Sequence, residues 1–224
     1  MSATPVLHRG DLERMPRTQL GKPSVLKPSV WRVETPAGPV VVKDTRHAGP
    51  ATRWLARWLL GRERRILERL SALDGVPHVV AVVDADAIAL SLVPGTPLDE
   101  PRFRQRPREL VEQLLELTDR LHALGVFHLD LHQRKNLLLD PEGRLHLVDF
   151  GAALAPGPVV RALLGRVLAS ADRHAALKYL ARYAPEELSE DEARAVVRQR
   201  RMRRLWPFTP HSRRESIRAR ARLR

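Results

Sequence analysis

The chain has 224 residues and no cysteine, enough length for one compact domain or two small lobes, and it excludes disulfide frameworks, thiolate metal sites and thiol nucleophiles. A formal charge of +13 suggests a nucleic-acid binder until it is located: residues 198–224 hold 11 Arg against one Glu, so this tail supplies +10 and all the rest only +3. Residues 1–20 lack the apolar stretch of a signal peptide, no apolar run approaches the ~18 residues of a membrane helix, and a cytoplasmic location is the expectation.

In chain order, residues 25–34 and 39–43 are β-branched runs separated by Thr35-Pro36-Ala37-Gly38, the signature of a hairpin. Its second strand ends on Lys43. Residues 51–73 have helical spacing, with an apolar stripe of Trp54, Leu55, Trp58, Leu59, Ile66, Leu67 and Leu70; tryptophans on such a stripe are expected in the core. Gly75-Val76-Pro77 ends the helix, and residues 79–83 and 87–93 read as two further strands. Pro94-Gly95-Thr96-Pro97 then marks a lobe boundary.

Leu110, Leu114, Leu117, Leu121 and Leu124 alternate steps of four and three, one face of a helix over 109–124, with Gly125 as its stop. Residues 145–148 form a short strand. Helices are predicted over 158–169, 171–183 and 190–204, the last opening on the capping-box pattern Ser189-Glu190-Asp191-Glu192. Tyr179 and Tyr183, at i and i+4, are read as packing residues.

Between the leucine helix and the later helices lie His128-Leu129-Asp130-Leu131-His132, then Asn136, then Val148-Asp149-Phe150-Gly151. Transfer of a γ-phosphoryl group needs one carboxylate to orient and deprotonate the attacking hydroxyl and others to hold Mg²⁺ against the phosphates. Asp130 fits the first task, Asn136 and Asp149 the second. Any one of these residues alone reads as a turn residue; the ordered set does not.

The order of hairpin, strand lysine, helix glutamate, two strands, break, helix, Asp loop and Asp-Phe-Gly resembles the protein-kinase-like superfamily over about residues 25–155. The resemblance implies an α+β fold of two lobes: a small antiparallel-sheet N-lobe (1–93), a reduced helical C-lobe (94–197) carrying the catalytic and metal loops, and the basic tail (198–224). It implies ATP and Mg²⁺ as cofactors, Lys43 on the α- and β-phosphates, Glu63 as the carboxylate that positions Lys43 with Glu68 as the fallback, and adenine contacts from the backbone around Ser91 and Val93. Asp130 is then the catalytic base, Asp149 and Asn136 the metal ligands.

The chain departs from that pattern where Leu129 replaces the arginine of His-Arg-Asp, where Asn136 follows Asp130 by six positions instead of five, and where no G-x-G-x-x-G lies near the first hairpin. Asp-Leu-His and a short C-lobe make it similar to lipopolysaccharide core (Kdo/heptose) kinases and to RIO-type atypical kinases. The resemblance implies transfer to an envelope sugar or lipid hydroxyl, or to a protein Ser/Thr in the RIO manner; the alternative of another class is a pseudokinase that binds without transfer. The tail is a solvated arm or a contact to an anionic membrane surface, a phosphorylated glycan or, less favoured, nucleic acid, which would place the protein at the inner face of the membrane.

Overall fold

The computed structural model describes residues 7–21 and 27–203. Contacts divide the chain into two units, one running to Pro94 and including Leu147–Ala153, the other comprising Gly95–His146 and the chain from Leu154 onward. The architecture is α+β, an antiparallel five-stranded sheet in the first unit and a helical second unit, in agreement with the class of fold expected from the sequence.

In the first unit the sheet order is β1-β2-β3-β5-β4, built from β1 (Arg17–Gly21), β2 (Ser29–Thr35), β3 (Gly38–Asp44), β4 (Val79–Asp84) and β5 (Ala87–Ser91). The expected hairpin is β2–β3, with Thr35 paired to Gly38. Gly38 takes φ +114° there, a conformation that residues with a Cβ resist. Residues 25 and 26 of the predicted first strand lie outside the described residues.

Period-two alternation sends Val40, Val42, Ala87 and Ala89 to one face, where they meet Val33, Ala81 and Leu12. Leu12 comes from a short helix, α1 (Arg9–Arg14), that the sequence reading did not anticipate. Arg9 fixes it to the sheet by bonds to Asp84 (2.5 and 2.7 Å) and Asp44 (2.5 Å). Lys43 falls on the opposite face of β3 by the same alternation.

Helix α2 (Pro50–Arg69) packs on β4 and β5 and on the turn Phe150–Ala152. Its inward side is Ala56, Leu60, Glu63, Ile66 and Leu67. Trp54 and Trp58, expected in the core, are instead 68% and 52% exposed. The buried stripe is offset from the one that the large residues suggested, and Trp58 lies under the Arg62 guanidinium, 5.6 Å from the ring centre.

The second unit contains β6 (Thr96–Pro97), α3 (Glu100–Gln105), α4 (Pro107–Ala123), β7 (Leu137–Leu139), α5 (Pro158–Tyr183) and α6 (Glu190–Arg203), with β8 (Leu145–Leu147) completing a small sheet β6-β7-β8. The leucine stripe of α4 is buried through Leu110, Leu114, Leu117 and Leu121. Gly125, at φ +73°, ends α4 with paired bonds from its own N–H to His122 O and from Val126 N–H to Leu121 O, the glycine-terminated helix stop.

α5 is one continuous helix where two were predicted. Ser170 between the two predicted segments is no helix breaker, and the change of pattern there reflects a change of surroundings. α6 starts on the capping box, with Glu192 N–H bonded to Ser189 Oγ and Ser189 N–H to Glu192 Oε2. Residues 204–224, most of the basic tail, lie outside the described residues.

Candidate active site

Lys43, near the end of β3, and Glu63, in the middle of α2, are 6% and 3% exposed. Lys43 Nζ donates to Glu63 Oε1 at 2.6 Å and to Asp149 Oδ1 at 3.3 Å. Burial disfavours the ammonium, but the charges of Glu63 and Asp149 outweigh it, and the Lys43 pKa lies above the ordinary lysine value. The ammonium is thus a fixed point charge held from two sides. Glu68, the fallback partner, faces Arg64 instead at 3.5 Å.

Asp149 has φ +65°, a left-handed conformation unusual for a residue with a side chain. It opens the turn Phe150–Ala152, in which Phe150 is fully buried. Arg62, from the same helix as Glu63, donates to Gly151 O at 2.5 Å. α2 therefore holds both the lysine and the backbone that follows Asp149. The Asp149 side chain stays 44% exposed, an accessible hard oxygen donor of the kind that Mg²⁺ takes.

In the second unit the loop 128–136 is organised around two carboxylates. Asp172, 1% exposed on α5, accepts the backbone N–H groups of His128 at 2.8 Å and Leu129 at 2.7 Å, and its Oδ2 lies 3.0 Å from His122 Nε2. Leu129 sits at φ +63°, a conformation costing about 1–2 kcal/mol for such a residue. Asp172 is what holds it there. Two turns of α5 further on, Tyr179 OH donates to Leu131 O at 2.9 Å; burial pushes the Tyr179 hydroxyl pKa up, so the phenol keeps its proton and remains a donor.

The second carboxylate is Asp130. Its Oδ2 accepts Gln133 Nε2 at 2.5 Å and Asn136 Nδ2 at 3.0 Å, and its Oδ1 lies 3.2 Å from His132 Nδ1. Asn136 Nδ2 also donates to the Asp130 carbonyl at 3.0 Å. Asn136 thus lies beside Asp130, at the end of the turn Arg134–Asn136 and with its N–H bonded to Gln133 O. Asn136 itself is 1% exposed. His128 is fully buried, its Nδ1 3.4 Å from the Asp130 amide nitrogen, so it supports the loop from inside.

At the end of β5, Ser91 donates its N–H to His78 O at 2.8 Å and accepts the His78 N–H on Oγ at 2.9 Å. Val93, two residues on, is buried.

Asp172, Arg62 and Gln133 were not singled out in the sequence, and Tyr179 was read only as a packing residue. A signal existed for one of them: Asp172 is the only acid in the 26 residues of α5. An isolated acid among Ala and Leu is buried only when donors meet it.

The α+β fold, with its antiparallel sheet of five strands and its helical part, is consistent with a small kinase-like fold. No protein-family model matches the chain. It is similar to CBL-interacting protein kinase 22 of Oryza sativa subsp. japonica, 35% identical over 120 residues, which cover 46% of this chain and 25% of that kinase. The serine/threonine-protein kinase PKH3 of Eremothecium gossypii is 40% identical over 74 residues, 30% of this chain and 10% of that protein. CBL-interacting serine/threonine-protein kinase 21 of Arabidopsis thaliana is 34% identical over 86 residues, 36% and 20% of the two chains. The chain spans a quarter or less of the length of these curated relatives; the similarity supports the protein-kinase-like superfamily.

Proposed function

We propose that this protein is an ATP-dependent kinase that moves the γ-phosphoryl group of ATP to a hydroxyl acceptor. The observation that carries the proposal is the buried Lys43–Glu63 pair with Asp149 on the same ammonium. A cation kept charged at such a cost in desolvation suits a polyanionic ligand better than it suits stability. Lys43 binds the α- and β-phosphates, Glu63 fixes its position, and the backbone at Ser91 and Val93 takes the adenine. Asp149 and Asn136 are the groups that would hold Mg²⁺, which, when bound, neutralises charge on the β- and γ-phosphates.

Asp130, oriented by Gln133 and Asn136, accepts the proton of the acceptor hydroxyl as its oxygen bonds to the γ-phosphorus. The bond from that phosphorus to the β–γ bridging oxygen breaks, and ADP leaves. Only residues 153–157 separate the turn Phe150–Ala152 from α5, little length for a platform that holds an extended peptide. This favours a compact acceptor, a sugar or lipid hydroxyl of the bacterial envelope. A protein Ser/Thr acceptor is the second reading, favoured by the kinases to which the chain is similar.

Purified protein given radiolabelled ATP with lipopolysaccharide, with generic protein substrate or with neither separates these outcomes. Label in the glycan supports the first acceptor and label in the protein the second. Mg·ATP binding with no transfer to any hydroxyl identifies a pseudokinase and overturns the proposal.

A further inference from the structure

The first half of α5 is built inside out. Val159, Val160, Leu163, Leu164 and Val167 are 72%, 46%, 75%, 49% and 63% exposed. At 3.6 residues per turn they form one continuous arc of about 140°. On the half-buried side Gly165 sits where a Cβ would lie 3.7 Å from Phe127 Cζ, and only Leu168 and Ala169 are half-buried beside it. A globular helix puts its aliphatic residues inward; this one turns them away from the body that carries it.

Charge narrows the choice of what covers the arc. Arg166 falls at one edge of the arc, while Arg161 lies beyond the other with its guanidinium over Gly125, Nη1 being 2.7 Å from where a Cβ would stand there; residues 150–171 contain no acid, and Arg166 makes no ion pair among the described residues. A second copy meeting this face would set like charges against each other. An acid-free aliphatic arc with Arg166 at its rim matches the boundary of an anionic bilayer, where the side chains enter the acyl region while a guanidinium group reaches the phosphates. We propose that residues 158–168 are a docking helix for an anionic lipid bilayer. The proposal concerns binding alone and stands whether or not the chain transfers phosphate.

The absence of cysteine makes a site-specific test direct. Leu163→Cys and Val167→Cys in the full chain, each carrying an environment-sensitive fluorophore, are mixed with vesicles of phosphatidylcholine containing phosphatidylglycerol, and with phosphatidylcholine alone. The expected result is a blue shift at both positions with the anionic vesicles only, and none for the same label at the exposed Glu112→Cys. Leu163→Glu with Val167→Glu is expected to lower partitioning by about a hundredfold, near tenfold for each side chain kept from the acyl region, at salt high enough to suppress binding through the tail. No shift at either position overturns the proposal. So does a shift without vesicles that grows with protein concentration, which reports a second copy, or one produced by polyglutamate and not by vesicles, which reports an acidic protein partner. Unchanged partitioning of a correctly folded double variant assigns binding to the tail and overturns it too; the labelled single variants decide the matter if the double variant does not fold.

Discussion

Replacing Asp172 by alanine tests how the loop of Asp130 is held. The carboxylate accepts two buried backbone N–H groups at 2.7 and 2.8 Å and contacts His122 at 3.0 Å. Bonds to a charged acceptor contribute about 1.5–3 kcal/mol each, and donors left buried without a partner add their own desolvation. Relaxation of Leu129 from φ +63° returns about 1–2 kcal/mol. The balance is a loss of about 3–5 kcal/mol, between the limits set by the lost bonds and by the relief of strain. Urea unfolding measures it, and hydrogen exchange at the His128 and Leu129 amides localises it. Turnover should fall about a hundredfold, because displacing Asp130 by an ångström is enough to do so, while the part of nucleotide binding that rests on Lys43 and Asp149 is kept, since both belong to the other unit. A variant within about 1 kcal/mol of wild type, with protection at both amides intact, would refute the assignment of Asp172 as the anchor.

Glu63→Ala leaves Lys43 buried with Asp149 as its remaining carboxylate, and should cost about 3 kcal/mol in urea unfolding, at the low end for a broken buried pair. The raised pKa of Lys43 gives a sign for alkaline pH: its contribution is fully present below the unfolded lysine value, about 10.4, and is lost only as pH rises through the higher folded value. The stability difference between wild type and Lys43→Met should therefore be flat from neutrality to about pH 10 and shrink above it, as measured by denaturant midpoints across that range. Gly95 has φ +106°, and a Cβ there would lie 2.6 Å from Leu139 O. Gly95→Ala should lose about 2–5 kcal/mol, strain and overlap together, in the same assay.

What the sequence disclosed follows from how local the cause is. Thr35-Pro36-Ala37-Gly38 specifies its turn within four residues, and the α4 leucines specify a buried face by their spacing alone, so both were legible. Lys43, Glu63, Asp130, Asn136 and Asp149 stood out as an ordered set because their residue types are ones that phosphate and metal chemistry requires, and the structure pairs Lys43 with Glu63 and Asp149, and Asn136 with Asp130. β1 was not: all five of its residues are exposed, so it carries no alternation, and its existence depends on pairing with β2. Trp54 and Trp58 misled because size was taken for burial, whereas α2 turns a stripe of Ala, Leu and Ile inward and includes Glu63 in it. α5 was divided in two because its pattern shifts from outward aliphatics to inward Ala, Leu and Tyr, a shift of surroundings within one helix. Asp172 acts on residues more than forty positions away, and no local pattern encodes that.

The most direct test of the central claim is parallel measurement of Mg·ATP binding and phosphoryl transfer for Asp130→Asn and Asp149→Asn. Asp130→Asn should bind Mg·ATP like wild type and lose transfer by about 10²–10⁴-fold, the contribution of a positioned base; Asp149→Asn should also lose the Mg²⁺-dependent part of binding. Transfer at the wild-type rate in both variants would contradict the account.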